Sequence, residues 1–416
     1  MGISKIKLKN IYFLYAICLA SVSYACFQHT HDFFWRIAAF VFSGLFYILS
    51  IWYLVERKKE IKRKLLSSDY KPISLFVALL LIILVFSIKW DIASLGTLFF
   101  HPFAFLAFFI AFISLTIRTK SDVSDIIRMC NGIAIYFGVF IIVDLIVFNK
   151  PILVNEMYLF LVFCLIFSSK KSALWKIYLL ILLIGIMIVN AGLDMRTVSI
   201  RIALILSAFY TIELLKITKY KVLKFGLLAI GVLFLYGISF HYEEIFNWAI
   251  KSNLFSSLDQ TDTRTFLFNE IFEELKGIDW IWGRGFLGKY YSYYFDTWQG
   301  EGGDNKIRFT VEVGVLNLLL KGGVLLLLMY LMALLSVLKK GFFNLYKSRI
   351  AIKITIVLFI QFILLGIENF AAFNNNNLLI WLPVGLIIFM NRERKNRLKI
   401  LSSNEKTKDI NYNTIL

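Results

Sequence analysis

The stretch RKKEIKRKLLSSDYKPISLFVALLLIILVFSIKW, residues 57–90, places a strongly basic connection directly before an apolar run. Seven Lys or Arg residues lie between Arg57 and Lys71. The run that follows is long enough to cross a bilayer as a helix. The same alternation recurs along the 416-residue chain, because every second connection between apolar runs is basic. The positive-inside rule therefore assigns these connections to the cytoplasm.

The basic connections hold 32 of the 45 Lys and Arg residues in the chain. They are residues 4–9, 57–71, 118–128, 170–176, 216–224, 339–353 and 392–408. A soluble protein with 59% hydrophobic residues would expose too much apolar surface, so the chain needs lipid as its solvent. The net charge of +18 then belongs to loops that meet anionic lipid, and we expect no nucleic acid partner.

The apolar runs predict an all-α integral membrane protein with about twelve transmembrane helices. The predicted spans are 10–28, 33–54, 73–89, 97–117, 130–148, 151–169, 175–190, 196–214, 223–241, 311–337, 351–371 and 376–391. Twelve crossings put both termini in the cytoplasm, and the first run is expected to remain as a span because it has no cleavage signature. The predicted regions are spans one to nine in 1–241, a large outward loop in 242–310, spans ten to twelve in 311–391 and a basic tail in 392–416.

The long connection between spans nine and ten differs from the basic connections. Residues 241–310 contain eleven acidic and seven basic residues, so their net charge is negative. Leu267, Ile271 and Leu275 recur at helical spacing, which predicts a helix over 263–276. Gly277 would end that helix. A loop of this length with its own amphipathic helix is usually functional.

Two arginines occupy the predicted outward end of span eight. Arg196 opens the span, and Arg201 lies about 7 Å deeper by helical rise. A charged side chain near lipid normally faces a protein interior, a cavity or a ligand. Both arginines can therefore border one cavity. The alternative is that Arg196 extends to the interface and Arg201 pairs with a buried acid.

Arg264, Arg284 and Arg308 are further cations of the long loop. Each is either a solvated charge or part of a cationic site with Arg196 and Arg201. Such a site suits a diphosphate, because guanidinium groups bind phosphate oxygens in a bidentate manner.

Glu312 begins span ten, one helical turn after Arg308. It is either a general base at the membrane boundary or one half of a structural salt bridge. Asp304, in a Gly-rich stretch, is the alternative acid. Lys321 falls in the middle of span ten, which indicates either a cavity-facing position or a helix broken at Gly322 and Gly323.

Aromatic residues of the loop form a possible glycan-stacking platform, namely Trp282, Tyr290, Tyr291 and Trp298. The alternative is an ordinary aromatic belt at the membrane interface. The four His residues and the four Cys residues show no metal-ligand spacing, so we predict no metal site and no cofactor.

Three short elements resemble the O-antigen polymerase/ligase superfamily of membrane glycosyltransferases. They are Met195-Arg196-Thr197 before an apolar span, Thr263-Arg264-Thr265 followed by a helix and Trp282-Gly283-Arg284-Gly285-Phe286, and Glu312-Val-Gly314-Val-Leu316 leading to Leu320-Lys321-Gly322-Gly323. Many family members, especially ligases, carry a His-Asn pair near the start of the span after the large loop. This chain has no His after His241, which favours a polymerase with Glu312 near the equivalent position.

The resemblance implies an enzyme of the bacterial cytoplasmic membrane that polymerises oligosaccharide repeat units. Its donor and acceptor would both be undecaprenyl-diphosphate-linked glycans, and a chain-length regulator is a further candidate partner. The main alternative is a ligase that transfers glycan from the same carrier to lipid A–core. A second alternative is a polysaccharide flippase or transporter, for which repeats and no large late loop are expected.

Overall fold

The structure is a computed structural model that describes residues 33–56, 58–101, 103–117, 119–144, 146, 152–168, 171–192, 196–214, 265–292, 307–345, 348–368 and 375–403. These residues are almost wholly helical, with one two-stranded sheet. The prediction of an all-α protein is therefore confirmed. Predicted spans 10–28 and 223–241 lie outside the described residues.

The described residues of the first part of the chain form helices of very different lengths. They are α1 (Phe33–Glu56), α2 (Lys58–Leu65), α3 (Lys71–Ser87), α4 (Ile92–Phe100), α5 (Phe105–Phe109), α6 (Ile113–Thr116), α7 (Lys120–Ile135), α8 (Phe137–Val143), α9 (Ile152–Phe167), α10 (Ala173–Gly192) and α11 (Arg196–Leu214). Single 3₁₀ turns occupy Ser68–Tyr70 and Ile110–Phe112.

The later part of the chain begins with short elements and ends with long helices. They are α12 (Thr265–Glu274), α13 (Asp279–Trp282), β1 (Tyr290–Tyr291), β2 (Ile307–Arg308), α14 (Gly314–Lys339), α15 (Arg349–Leu364) and α16 (Asn375–Ser403). A π-helical turn, Lys340–Asn344, follows α14. Strands β1 and β2 pair antiparallel, with Tyr290 opposite Arg308 and Tyr291 opposite Ile307.

Four segments of the described residues are long and apolar enough to cross a membrane. They are Ile37–Glu56, Ser68–Ser87, Ala173–Asn190 and Gly314–Asn344, and the bent pair α7 and α8 makes a fifth if it is one span. These lengths and compositions indicate a helical protein embedded in a membrane. The count of twelve spans stays a prediction.

Helix α10 illustrates why lipid is needed. Its exposed face carries Leu174, Ile177, Ile181, Ile184 and Ile188, spaced three or four residues apart on one side of the helix. The opposite face is buried against the rest of the bundle. Such a continuous exposed apolar stripe is unfavourable in water and favourable against acyl chains.

Predicted span 97–117 is broken into several pieces, which the hydropathy did not indicate. Helix α4 ends at Phe100, and the backbone of the next residue, His101, is extended with φ −74° and ψ 128°. Pro102 follows in the sequence, and the residue before a proline is sterically disfavoured in the helical region. Short helices α5 and α6 then continue the chain.

Predicted span 130–148 begins earlier than expected and is also bent. Thr119 caps α7, because its hydroxyl accepts from the Asp122 N–H while the Asp122 carboxylate accepts from the Thr119 N–H. This reciprocal capping box starts the helix at Lys120. A bend of 51° at Tyr136 then separates α7 from α8.

Four of the connections that the sequence predicts to be cytoplasmic lie near one another. Lys64 donates to the carbonyl oxygens of Leu115 and Ile117, just before the next basic connection. Lys340 donates to the Asp69 carbonyl oxygen, and Lys395 pairs with the Asp69 carboxylate at 2.5 Å. Connections 57–71, 118–128, 339–353 and 392–408 therefore meet at one end of the helix bundle.

Candidate functional site

Helix α14 is broken one-third of the way along its length. Gly322 (φ −149°, ψ 16°) and Gly323 (φ 61°, ψ −164°) have non-helical backbones, so the second of the two sequence interpretations of Lys321 is confirmed. Just before the break, the Leu320 carbonyl oxygen accepts from the Arg284 N–H at 2.8 Å.

The segment Trp282–Phe286, here called the glycine wedge, fills the break. A Cβ on Gly283 would lie 2.4 Å from the Gly322 nitrogen. A Cβ on Gly323 would lie 2.3 Å from the Ile281 carbonyl carbon. Both glycines have positive φ, and only residues without a side chain permit so close an approach. In this chain the Gly-x-Gly element therefore lets the loop backbone pack directly against the backbone of α14.

The wedge is also fixed to helix α3. The Phe286 N–H donates to the Ser87 hydroxyl oxygen at 2.8 Å, and this hydroxyl in turn donates to the Ile83 carbonyl. The Phe286 ring is fully buried and packs 5.0 Å from the Phe108 ring, centroid to centroid. The long connection therefore inserts between α3 and α14.

Lys321 holds three backbone segments together from inside the bundle. Its side chain is fully buried, and Nζ donates to the carbonyl oxygens of Phe286 at 3.2 Å, Gly288 at 2.8 Å and Phe309 at 2.6 Å. Nζ also lies 3.7 Å from the centroid of the Phe309 ring. Burial of an ammonium group is costly unless its donors are used, and here the three carbonyls use them.

Arg284 is engaged within the docked loop. Its guanidinium donates to the carboxylates of Glu274 at 2.8 Å and Asp279 at 3.0 Å, and to the carbonyl oxygen of Lys289 at 2.9 Å. Burial acts to lower the pKa of Arg284, but the bonds to Glu274 and Asp279 outweigh it and raise that pKa. These contacts leave little donor capacity for a diphosphate, so we withdraw Arg284 from the predicted anion site.

The amphipathic helix predicted over 263–276 is confirmed as α12. Leu267, Ile271 and Leu275 are buried, as their helical spacing predicted. They pack against the beginning of α14, in a cluster with Val311 and Leu316 among others. The apolar face of α12 therefore anchors the loop to the same helix that the glycine wedge enters.

Arg201 lies in a buried polar cluster formed by α9, α11 and the end of α15. Its side chain is fully buried, and it donates to the Tyr158 hydroxyl at 2.8 Å and to the Glu368 carboxylate. The Glu368 side chain is 25% exposed, so the cluster reaches the surface through this carboxylate. Arg201 therefore has an acid partner, as the alternative to a ligand contact predicted, although Glu368 is only partly buried.

Glu312 lies close to the Arg201 cluster. A Cβ on Gly314, two residues after Glu312, would lie 2.8 Å from the Glu368 carbonyl oxygen. The Val315 N–H donates to the Leu365 carbonyl at 3.1 Å. The start of α14 and the end of α15 are thus in direct backbone contact, which brings two carboxylates and Arg201 to one end of the bundle.

Arg308 and Glu312 form an ion pair with an N–O distance of 3.4 Å. The Glu312 side chain is 44% exposed, so its carboxylate is accessible to a ligand as well as to Arg308. Exposed pairs of this kind contribute little to stability, about 0–1 kcal/mol. The pair is therefore compatible with either interpretation of Glu312.

The predicted aromatic platform is divided between interior and surface. Tyr290 is buried, and burial raises the pKa of its hydroxyl to about 12. Tyr291 is half-buried in β1, and Trp282 is 40% exposed. Of these three, only Trp282 offers a large accessible ring, so Tyr290 serves packing rather than stacking on a glycan.

Several predicted site residues are not tested by these contacts. Asp304, Arg264 and Trp298 lie outside the described residues. Arg196 is the first residue of α11, where only its backbone is described. The roles predicted for these residues stay predictions.

Tyr158 and Glu368 are the members of the site that the sequence did not assign. An acid partner for Arg201 was anticipated, but no local spacing identified it, because Glu368 is 167 residues away along the chain. The sequence signal for Glu368 was that an ionisable residue lies beside an apolar run, a position that often has a functional or paired charge.

The described residues contain no group of three or more His, Cys, Asp or Glu side chains that could hold a metal ion. No protein-family model, curated protein or solved structure matches this chain.

Proposed function

We propose that this protein polymerises undecaprenyl-diphosphate-linked oligosaccharide repeat units on the outer face of the bacterial cytoplasmic membrane. The hydroxyl of the acceptor glycan attacks the anomeric carbon of the donor glycan. The bond between that carbon and the diphosphate oxygen breaks, and polyprenyl diphosphate departs with the bonding electrons. The hydroxyl proton passes to a carboxylate.

The observation that carries this proposal is the convergence of Arg201, Glu368 and the Glu312 segment where α11, α14 and α15 meet. A lipid-linked diphosphate requires cations at the membrane boundary, next to a carboxylate and beneath a region that holds sugars. Cations in a partly dry site stabilise the charge that develops on the leaving diphosphate more strongly than they would in water.

The docked loop provides the second support. Helix α12 and the glycine wedge both fasten to α14, the helix that Glu312 precedes. A loop held at two points next to a carboxylate is suited to cover a bound glycan and to exclude water. The partly exposed Trp282 ring lies on this loop.

Residue roles follow from these contacts. We assign the role of base to Glu312, with Asp304 as the alternative, and diphosphate binding to Arg196, Arg264 and Arg308. Arg201 contributes its positive charge from within the cluster, where its ion pair with Glu368 positions that partly exposed carboxylate. No metal or cofactor is required in this scheme.

Removal of the protein tests the function itself. In a strain that lacks this chain, we expect the ladder of surface glycan on a gel to collapse to core plus a single repeat unit, and the wild-type gene to restore the ladder. Loss of all repeats from the core, with long glycan accumulating on its lipid carrier, would instead identify a ligase. An unchanged ladder would contradict both and favour a flippase or transporter.

Glu312→Gln tests the base. Glutamine keeps the shape and hydrogen bonding of the side chain but does not accept the proton, so we expect chain extension to fall by roughly 10²–10⁴-fold. The protein should fold normally, because the exposed pair with Arg308 contributes little to stability. Arg308→Gln removes the same ion pair and is the control for folding alone, with the melting temperature as its readout. Wild-type extension by Glu312→Gln would remove Glu312 from this role.

A further inference from the structure

A cavity of about 720 Å³ lies at the opposite ends of α11 and α15 from Arg201 and Glu368. It is bordered by the end of α9, the beginning of α10, the end of α11 and the beginning of α15. Its lining includes Lys176, Glu213, Arg349 and Lys353. None of the residues assigned to the proposed reaction lines this cavity.

One end of the cavity is charged. Glu213 accepts from Lys353 at 2.5 Å and from Arg349 at 3.3 Å, and Lys176 lines the same cavity. Three cations therefore face one carboxylate, and the charged end is net positive. The first turns of α10 and α15 also lie here, and helix N-termini favour an anion.

The other walls of the cavity are apolar. Leu180, Ile184, Leu206 and Phe209 continue from the charged end toward the middle of the helices. Ile184 also belongs to the exposed apolar stripe of α10, so the cavity adjoins the face that requires lipid. A small soluble anion would use the cations but would leave these walls without a partner.

The position along the helices fits a membrane boundary. Lys176 belongs to the basic connection 170–176, and Arg349 and Lys353 belong to 339–353. Both connections are predicted to be cytoplasmic. The leaflet that faces the cytoplasm carries anionic lipids, and basic pockets between transmembrane helices on that side bind their headgroups.

We propose that this cavity binds an anionic phospholipid. The headgroup phosphate contacts Lys176, Arg349 and Lys353, and one acyl chain lies along Leu180, Ile184 and Leu206. Charge selects the headgroup, and the apolar walls select a molecule with a lipid tail.

The test measures lipid binding to the full-length protein purified in detergent, by native mass spectrometry during titration with phosphatidylglycerol. The double variant Lys176→Ala/Arg349→Ala removes two cations of the cavity. We expect its affinity for phosphatidylglycerol to fall by roughly 30-fold, about fivefold for each cation. The matched control is Lys120→Ala/Lys171→Ala, which removes two exposed cations that do not line the cavity. We expect less than a twofold change in this control.

A second variant tests the apolar part without altering the charge. Ile184→Trp places a larger ring in the path of the acyl chain, and we expect weaker phosphatidylglycerol binding at an unchanged melting temperature. Equal losses in the cavity variant and the control, or equal binding of zwitterionic phosphatidylcholine, would overturn the proposal. Displacement of the lipid by millimolar inorganic phosphate would identify a soluble phosphate ligand instead, and preferential binding of a polyprenyl phosphate would identify the carrier lipid.

Discussion

Arg201→Ala is expected to abolish chain extension and to destabilise the protein. The substitution removes the guanidinium that donates to Tyr158 and Glu368 in a cluster where the Arg201 side chain is fully buried. It leaves the Glu368 carboxylate without its partner. Removal of one member of a fully buried ion pair costs roughly 3–5 kcal/mol, and we expect the lower end of that range because the Glu368 carboxylate left behind is partly exposed. Thermal melting in detergent measures this loss.

Loss of activity in Arg201→Ala alone does not distinguish a ligand contact from a structural ion pair. The double variant Arg201→Met/Glu368→Gln separates the two, because it removes both charges together. Replacement of a complete buried ion pair by neutral side chains is often nearly neutral for stability. We therefore expect the melting temperature of the double variant to recover most of the loss seen in Arg201→Ala.

Chain extension by the double variant then decides the role of Arg201. If the charge of Arg201 or of Glu368 acts on the substrate, the double variant stays inactive on the glycan gel although its melting temperature recovers. Recovery of the ladder together with the melting temperature would assign Arg201 to structure alone. Tyr158→Phe is the matched control, since it removes one hydrogen bond to Arg201 without changing charge and should cost only about 1 kcal/mol.

Features that depend on local sequence were predicted well. Helix α12 follows from the spacing of Leu267, Ile271 and Leu275, because helical periodicity is encoded over a few residues. The break in α14 was foreseen as one of two explanations for Lys321, because a charge next to two glycines is incompatible with an ordinary apolar span. The basic connections are also identified in the sequence from the positions of Lys and Arg alone.

Features that depend on distant contacts were not predicted. Glu368 pairs with Arg201 from 167 residues away, and no local spacing encodes such a partner. The sequence predicts one helix over 97–117, whereas the structure has several short helices there. Hydropathy measures apolar content and does not detect the backbone break at His101. Arg284 differs, because its carboxylate partners Glu274 and Asp279 lie only ten and five residues away, and the contact depends on the turns that follow α12.

The second large effect is expected at the glycine wedge. Gly283→Ala should release the loop from α14, because the new Cβ would lie 2.4 Å from the Gly322 nitrogen. Gly283 also has φ 68° and ψ −169°, a conformation nearly restricted to glycine. Backbone strain and overpacking together give an expected loss of about 2–6 kcal/mol. The readouts are the melting temperature and limited proteolysis within 265–292.

Gly277→Ala is the matched control for backbone strain. Gly277 also has a positive φ, 54°, but a Cβ there would meet nothing within 4 Å. Its substitution should therefore cost only about 1–2 kcal/mol, with the loop still protected from protease. Equal effects at the two positions would show that φ strain, and not the close contact with α14, accounts for the result.

Gly323→Ala examines the same contact from the side of α14. A Cβ there would lie 2.3 Å from the Ile281 carbonyl carbon, so the variant should resemble Gly283→Ala in both stability and proteolysis. The two substitutions lie on different segments and share only the interface between them. If both expose the loop while Gly277→Ala does not, the docking of the wedge into the helix break is what holds the loop beside Glu312. Chain extension should then be lost in both variants, even at temperatures where the remaining helices stay folded.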